Sequence, residues 1–442
     1  MTRIGLTRAV LFSVSSQAWM ALAGPVTVIA IAHALDPVAQ GFYYTFSSVL
    51  GIQIFFELGL GTVMVQMASH EWASLSRESG GRIYGSELAL SRLASIARLS
   101  MRWYGIAAFL LTVVLIIGGN WFFSGKADEH AISWLLPWSI LSVTAGLSLL
   151  ITPILSIVEG CNQITSVYRI RLLQSIGSSV VIIAGLFCGW GLVSLAIGSV
   201  VRLCLTVICV VFEQRDFVRI FRKNPCAGRV NWRKEVWPFQ WRIAISWLSG
   251  YFVFSLFVPV MFQFHGPIVA GQMGMTLSLV GAVESVACAW IITRVPEFGA
   301  LIARRNFSTL DQLFVGSIKR SLATALLGSM IVVTTVVLLR MYLPVYADRL
   351  LPLLALILFV LYRIANVGIS GLALYLRSHK QEPLVWVSVV SAVIIGLLTY
   401  FVGRDYGPLG VSVGLLLTTV LWTLPACLVV FFRCRRDWHI SA

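Results

Sequence analysis

Long apolar stretches, separated by short polar segments, occupy most of the chain. Leu172–Val201, Leu384–Gly403 and Tyr406–Phe432 contain no charged residue. About 20 apolar residues are enough for a helix to cross the hydrocarbon core of a bilayer. These stretches are too long for the strands of an outer-membrane barrel, and they lack the alternation of such strands. The pattern therefore predicts an all-α integral membrane protein.

The hydropathy pattern predicts twelve transmembrane helices. We place them near residues 9–33, 42–69, 103–123, 132–157, 167–189, 191–213, 242–264, 269–295, 318–340, 350–376, 384–403 and 409–432. Aromatic residues cluster near the ends of several of these segments. Trp103, Tyr104 and Trp232 belong to those clusters, and we interpret them as anchors at the level of the lipid headgroups.

The composition is that of a membrane protein, and the distribution of charge predicts how the chain is oriented in the membrane. The 442 residues are 58% hydrophobic and 12% charged, with a mean hydropathy of +0.88 and a formal net charge of +15. With an even number of spans both termini share one side, and most Lys and Arg residues fall in the loops of that side. The positive-inside rule then predicts cytoplasmic N- and C-termini. The basic loops are expected to bind anionic membrane lipids rather than nucleic acid.

Two local sequence patterns recur, each six predicted helices apart. PVAQG (37–41) and PIVAG (267–271) open the second and eighth spans, and GLVSLAIG (191–198) and GPLGVSVG (407–414) open the sixth and twelfth. The recurrence predicts an N-terminal six-helix bundle (1–213), a basic cytoplasmic linker (214–241) and a C-terminal six-helix bundle with a short cytoplasmic tail (242–442). Transporters built from parallel repeats bind substrate between the halves near mid-depth.

Four charged residues fall near the centres of predicted spans: Glu57, Arg202, Glu284 and Arg363. A charge at this depth costs about 2.5–3.5 kcal/mol on insertion scales, so it is rarely without a role. One interpretation is structural ion pairs between helices, although interhelical polar contacts contribute only about 0.6–2 kcal/mol. The other is a polar transport path.

Neighbouring polar residues support a transport path. Gln53 shares a helix face with Glu57, and Asn366 shares one with Arg363. A carboxyl group in a half-dry cavity can titrate near neutral pH, which suits proton or cation coupling by Glu57 and Glu284. A guanidinium binds phosphate oxygens through two N–H groups, which suits recognition of an anionic substrate by Arg363 and Arg202. We predict no catalytic or metal-binding residue.

The residues ALDPVAQGFY (34–43) followed by FELGLG (56–61) resemble the start of bacterial polysaccharide flippases. These are the O-antigen and capsule repeat-unit exporters of the MATE-like (multidrug/oligosaccharidyl-lipid/polysaccharide) transporter superfamily. Glu159-Gly160 after the fourth span and Pro296 after the eighth add to the resemblance, which covers essentially the whole chain. It implies a MATE-like fold of two pseudo-symmetric six-helix bundles around a central cavity.

The resemblance also implies a function. A flippase of this family moves an undecaprenyl-pyrophosphate-linked oligosaccharide from the cytoplasmic to the periplasmic leaflet of the bacterial inner membrane, for surface polysaccharide biosynthesis. A proton or sodium gradient would supply the energy without a cofactor, and a polysaccharide polymerase and export machinery would be partners. Better-known lipid flippases carry cavity arginines on their first helices, and this chain has none between Arg8 and Pro37. Pyrophosphate binding would then fall to Arg363, Arg202 or the rim residues Arg294 and Arg340.

Two other functions compete with flipping. A cation-coupled multidrug exporter of the same superfamily would favour an acidic cavity, whereas this midplane balances two Glu with two Arg. A membrane glycan polymerase or glycosyltransferase would need large external loops or acidic motifs, but Asp36, Asp348 and Asp405 are isolated on short loops. The sequence therefore predicts a transporter rather than an enzyme.

Overall fold

The computed structural model describes residues 2–77, 83–222, 228–379 and 381–440, and these are almost entirely helical. The helices are α1 (Thr2–Ala34), α2 (Pro37–Leu50), α3 (Ile54–Glu57), α4 (Leu60–Trp72), α5 (Glu87–His130), α6 (Leu135–Gly160), α7 (Ile164–Phe187), α8 (Val193–Glu213), α9 (Arg215–Arg222), α10 (Trp237–Phe254), α11 (Phe257–Ile292), α12 (Val295–Ala303), α13 (Phe307–Tyr342), α14 (Pro344–Ala347), α15 (Leu353–Ser378), α16 (Val385–Thr418) and α17 (Leu424–Ile440). A 3₁₀ turn spans Gly51–Gln53, and π-helical turns span Trp232–Val236 and Thr419–Thr423.

The helices have the length and composition of a multi-pass membrane protein. Among the described residues, eight helical stretches are long and apolar enough to cross a membrane, and Pro37–Glu57 with Leu60–Trp72 forms a ninth if that bent pair is one span. Ile243–Ala303 and Val385–Trp438 have 61 and 54 residues, enough for two crossings each. Each contains a Gly-Pro turn, at Gly266 and Gly407, where the backbone leaves the helical conformation. The predicted helical membrane fold is confirmed.

One short element departs from the all-α prediction. Strands β1 (Leu75–Arg77) and β2 (Ile83–Gly85) pair antiparallel, with Ser76 opposite Tyr84. Gly85 has a φ of 137°, and a Cβ at this position would lie 2.4 Å from the carbonyl oxygen of Ser74. Only glycine therefore fits the end of this ribbon. The ribbon precedes α5, which continues through the third predicted span without interruption.

The chain groups into two compact units, which we describe separately. Unit 1 comprises Met1–Ala30 and Val49–Leu248, and unit 2 comprises Ile31–Ser48 and Ser249–Ala442. The borders of the units fall inside α1, α2 and α10. The two bundles and the linker over 214–241 stay a prediction, and residues 223–227 of that linker lie outside the described residues. Unit 2 contains both PVAQG (37–41) and its repeat partner PIVAG (267–271).

Each unit has a large apolar core. In unit 1, Phe217 of α9 packs with Leu75 of the ribbon, Leu93 of α5 and Ile157 of α6. In unit 2, an aromatic cluster forms the core. Its members are Phe298, Phe314, Tyr375 and Phe431. Buried aromatic side chains supply much of the packing energy of such clusters.

The repeated motifs have matching roles in the backbone. Gly191 and Gly407, which open the second pair of motifs, both have a positive φ, of 55° and 61°. The first pair of motifs pack against each other in unit 2. A Cβ on Gly41 would lie 2.0 Å from the carbonyl oxygen of Pro267, and one on Gly271 would lie 2.9 Å from the amide nitrogen of Gly41. Glycine at both positions permits this close backbone approach.

Candidate functional site

The span that carries Glu57 is broken immediately after this residue. Leu58 and Gly59 both adopt the left-handed conformation, with φ of 49° and 64°, and the helical pair bends by 46°. A non-glycine residue in this conformation costs roughly 1–3 kcal/mol and persists only where its surroundings enforce it. Helices broken at mid-depth commonly line substrate and ion sites in transporters. The break therefore marks Glu57 as a candidate site residue.

Glu57 turns its carboxylate toward a small niche beside Gly61. The position that a Cβ of Gly61 would occupy lies 3.0 Å from Glu57 Oε1, 3.2 Å from Ser156 Oγ and 3.5 Å from Tyr104 Oη. Ser156 belongs to α6 and Tyr104 to α5. We call these residues, Glu57, Gly61, Tyr104 and Ser156, the Gly61 niche. Side-chain oxygens from α3, α5 and α6 thus pack closely against Gly61 of α4.

Side chains on both sides hold the break in place. The indole N–H of Trp103 donates to the carbonyl oxygen of Phe56 over 3.3 Å, which satisfies an acceptor next to the interrupted helix. On the other side, a Cβ at Gly59 would lie 2.4 Å from Cγ2 of Ile243 on α10. The contact of Ile243 therefore requires glycine at residue 59, whose left-handed backbone also favours glycine.

Trp103 also connects this region to the linker. Its ring stacks on Trp232, with centroids 5.7 Å apart and planes 20° apart. The linker is docked on α5 beside this pair. Ser95 Oγ accepts a hydrogen bond from the Val230 amide at 3.1 Å, and Arg92 pairs with Glu235 of the linker at 2.6 Å. Trp103 and Tyr104 were predicted to be headgroup anchors, but in the structure Trp103 caps the broken helix and Tyr104 is buried.

In unit 2, Glu284 is held by two of the predicted substrate-binding residues. Arg363 Nη1 pairs with Glu284 Oε2 at 2.5 Å, and Asn366 Nδ2 donates to Glu284 Oε1 at 2.5 Å. Both charged side chains are largely buried, with 12% of Arg363 and 14% of Glu284 exposed. Arg363 and Asn366 lie on one face of α15, three residues apart. Both therefore bind the same carboxylate, that of Glu284 on α11. The cluster is neutral overall, and it has the geometry of the structural ion pair considered from the sequence.

Arg202 of unit 1 lies on a polar stripe of α8. Its own carbonyl oxygen accepts from Thr206 Oγ1 at 2.7 Å, and Thr206 Oγ1 in turn accepts from Gln174 on α7. One turn earlier, Ser199 bonds Thr144 of α6 at 2.9 Å. The Arg202 side chain is exposed on the protein, and no carboxylate among the described residues pairs with it. No described carboxylate therefore neutralises this guanidinium.

The remaining predicted site residues are distributed elsewhere. Gln53 ends the 3₁₀ turn that leads into α3. Arg294 pairs with Glu297 one turn later at 2.9 Å. Arg340 donates to the carbonyl oxygen of Leu351 at 3.0 Å, so both predicted rim arginines have local partners within unit 2.

Two niche residues were not identified from the sequence. Tyr104 and Ser156 are common residue types on apolar helices, and no spacing distinguishes them from packing residues. The nearest sequence signal is Gly61, four residues after Glu57, because glycine lets neighbouring side chains approach its Cα. The described residues contain no group of three or more His, Cys, Asp or Glu that could hold a metal ion.

Comparison with known structures shows that this chain shares its fold with several membrane transporters. No family model matches the chain, and no curated protein sequence matches it. The lipid II flippase MurJ in an inward closed conformation is 15% identical with a TM-score of 0.61, covering 98% of this chain and 91% of that one. An inward-facing multidrug resistance MATE family transporter of the MOP superfamily is 14% identical with a TM-score of 0.59, covering 93% and 98%.

A third similar structure belongs to a transporter of the MOP superfamily. It is a MOP superfamily transporter from Pyrococcus furiosus Vc1 (DSM3638), 14% identical with a TM-score of 0.55, covering 98% of this chain and 95% of that one. Its description states that the reverse polarity of its binding pocket suggests a different function. The chain is therefore a multi-pass membrane protein with the fold shared by MATE transporters of the MOP superfamily and the lipid II flippase MurJ.

Proposed function

We propose that the protein is a flippase that moves a polyprenyl-pyrophosphate-linked oligosaccharide, the undecaprenyl-linked repeat unit of a surface polysaccharide. Transport would run from the cytoplasmic to the periplasmic leaflet of a bacterial inner membrane, with both termini in the cytoplasm. A saccharide unit of this kind needs a hydrophilic path while its lipid tail stays in the bilayer. The fold supports such a path because parallel repeats of this type work by alternating access.

One observation is the main support for an anionic substrate. Arg202 lies on a spanning helix, in a polar stripe, without a carboxylate partner among the described residues. A guanidinium keeps its charge in a membrane protein and matches phosphate geometry through two N–H groups. A positive charge left unpaired at this depth is costly unless an anionic ligand or water compensates it. A pyrophosphate group would supply that compensation.

Arg363 has a conditional role in this proposal. Its guanidinium is neutralised by Glu284, so it can bind a phosphate only if that ion pair opens. We propose a proton or sodium gradient as the energy source, with Glu284 as the candidate coupling residue of unit 2. Glu57 supplies a second carboxylate in unit 1, without an ion pair among the described residues.

The competing function is cation-coupled multidrug export, which the structural comparisons support equally. The observation in its favour is the similarity to a MATE multidrug transporter over 93% of this chain. A cationic drug would bind Glu57 rather than Arg202, so the two functions use opposite charges of the same unit. Charge-removing substitutions at these two positions separate them.

The test is a deletion strain complemented with variants. The deletion should accumulate the lipid-linked repeat unit on the cytoplasmic leaflet and lose surface glycan. Arg202→Ala should reproduce this loss at a normal protein level, while Arg436→Ala, which removes an exposed arginine of the C-terminal helix, should restore export. Normal surface glycan in the deletion strain would refute flipping, and a drug-susceptibility change that depends on Glu57 would favour export.

A further inference from the structure

We propose that the exposed surface shared by α11 and α13 binds one anionic phospholipid, with Arg320 holding its phosphate group above the ring of Trp290. Both helices belong to unit 2. The inference rests on the membrane fold and is independent of the proposed transport function. The basic loops predict contact with anionic lipids in general, whereas this surface would bind a single lipid at a defined place.

α11 and α13 pack side by side in opposite directions. The hydroxyl of Ser321 donates to the carbonyl oxygen of Ala287 at 2.8 Å. Further along, a Cβ at Gly328 would lie 2.7 Å from Cγ1 of Val283. Residue numbers thus fall along α11 as they rise along α13. The end of the predicted span 269–295 therefore lies beside the beginning of the predicted span 318–340, at one surface of the membrane.

Trp290 and Arg320 meet at this membrane surface. The guanidinium carbon Cζ of Arg320 lies 5.9 Å from the centroid of the Trp290 ring, within the range of a cation–π interaction. The indole N–H of Trp290 donates to Thr324 Oγ1 at 2.9 Å. The ring is thus fixed by one hydrogen bond and in turn orients the guanidinium. A group that is oriented before binding loses less conformational freedom when a ligand arrives.

The positive charge at this position has no protein partner among the described residues. Lys319 and Arg320 are both exposed, and no described carboxylate pairs with either of them. By contrast, Arg294 at the end of the neighbouring span pairs with Glu297 at 2.9 Å. A guanidinium matches phosphate oxygens through two N–H groups, and basic residues at a membrane surface attract anionic lipids. Arg320 and Lys319 therefore complement an anionic headgroup.

Exposed aliphatic side chains continue from Arg320 toward the centre of the membrane. Leu327 and Ile331 follow Arg320 by two and three turns on the same face of α13, and they are 62% and 67% exposed. On α11, Val286 lies one turn before Trp290 and is 45% exposed. An acyl chain would lie along this aliphatic stripe while its phosphate group contacts Arg320. A free phosphate ion would use the charge but not the stripe, so the surface fits a lipid.

The headgroup also has room beside Arg320. Gly316 lies one turn before Arg320, on the side away from the membrane centre, and a Cβ there would meet nothing within 4 Å. Glycine at this position leaves the approach to the guanidinium open. Charge, an oriented ring, an open approach and an aliphatic stripe therefore follow one another along the same helix pair.

Ordinary anchoring of these side chains makes a different prediction. Trp and Arg residues near helix ends commonly lie at the level of the headgroups without selecting any one lipid. Such contacts neither saturate at one molecule nor depend on the net charge of the lipid. Selective binding of one anionic lipid therefore distinguishes a site from an anchor.

The experiment is native mass spectrometry of the full-length protein in detergent micelles, with phosphatidylglycerol or phosphatidylcholine added. The wild type should bind its first phosphatidylglycerol about tenfold more tightly than phosphatidylcholine. Arg320→Ala should raise the Kd of that first lipid about fivefold, equivalent to about 1 kcal/mol. Thr324→Val removes the acceptor of the indole N–H at nearly constant size and should act in the same direction. An equal concentration of inorganic phosphate should not displace the lipid.

Matched controls change the same residue types elsewhere in unit 2. Arg433→Ala removes an exposed arginine of α17 that no described carboxylate or aromatic ring contacts. Trp386→Ala removes an indole that is 74% exposed near the start of α16. Both should keep the wild-type Kd for phosphatidylglycerol. Arg320→Lys should give an intermediate Kd, because lysine keeps the charge but not the two-pronged geometry.

Three results would overturn the site. One is equal binding of phosphatidylglycerol and phosphatidylcholine by the wild type, which needs no variant to fold. The second is an equal rise in Kd for Arg320→Ala and Arg433→Ala. The third is displacement of the lipid by inorganic phosphate, which would assign the charge to a soluble anion. None of these measurements uses a saccharide, so normal surface glycan in the deletion strain would refute the proposed function and leave the lipid site intact.

Discussion

The indole N–H of Trp103 donates to the main-chain carbonyl of Phe56, 3.3 Å away, directly before the carboxylate of Glu57. The same indole ring stacks on Trp232 of the linker. One side chain thus joins the linker to the break in the second span. Because the break positions Glu57, the orientation of this carboxylate depends on a residue from a different helix.

Trp103→Phe tests this arrangement. Phenylalanine keeps an aromatic ring for Trp232 but removes the N–H donor, so the Phe56 carbonyl loses its partner. We expect a loss of about 1–3 kcal/mol in the free energy of unfolding. Thermal unfolding of the full-length protein in lipid nanodiscs measures this loss. Trp121→Phe changes an indole that is 81% exposed and serves as the control; equal behaviour of the two variants would contradict this role.

The Glu284–Arg363 pair gives a second prediction. Arg363→Met leaves a largely buried carboxylate without its cation, and Glu284→Gln leaves the guanidinium without its anion, so each single variant should be clearly destabilised. The double variant Glu284→Gln/Arg363→Met should be more stable than Arg363→Met alone, since no charge remains. A double-mutant cycle of melting temperatures measures the coupling. Strictly additive effects would show that the two side chains do not interact.

The linker contact gives a pH-dependent prediction. The main-chain N–H of Asn231 and the guanidinium of Arg92 hold the pKa of Glu235 below its ordinary value. Since the folded pKa is the lower one, the stabilisation is present at pH values above the pKa of an ordinary glutamate. It is lost as the pH falls through the lowered pKa.

Glu235→Gln should therefore destabilise the protein at neutral pH and converge with the wild type in acid. The carboxylate is 34% exposed, so we expect only about 0.2–1 kcal/mol. Melting temperatures of both proteins across the acidic range measure the difference. Glu382→Gln, which alters an exposed glutamate of unit 2 paired with Arg377, controls for general charge effects. A difference that grows on acidification would have the wrong sign.

Gly41 gives a prediction about the packed repeat motifs. A methyl group here would lie 2.0 Å from the carbonyl oxygen of Pro267, so the two segments would have to separate. We expect Gly41→Ala to cost about 1–3 kcal/mol, as overpacking typically does. Gly281→Ala, where a Cβ meets nothing within 4 Å, should be neutral or stabilising because alanine favours helix. Similar melting temperatures of the two variants would exclude close packing at Gly41.

The sequence alone determined that the chain crosses a membrane repeatedly as helices. Hydropathy is a local property, and the backbone of a spanning helix satisfies its hydrogen bonds within one segment. The same pattern predicts that Glu57, Arg202, Glu284 and Arg363 lie near the centres of their spans. The two repeated motifs were also visible locally, because glycine and proline mark turns wherever they occur.

Only the tertiary structure decided which of these groups meet. Glu284 is bound by Arg363 and Asn366 from another helix, whereas no described carboxylate pairs with Arg202. Periodicity assigns a side chain to a helix face but cannot say which face of which helix lies opposite. The left-handed conformation of Leu58 could not be predicted from the sequence either. Leucine favours helix and adopts this conformation only where neighbouring packing enforces it. The Gly61 niche combines residues of α3, α4, α5 and α6, so no single segment of the sequence contains it.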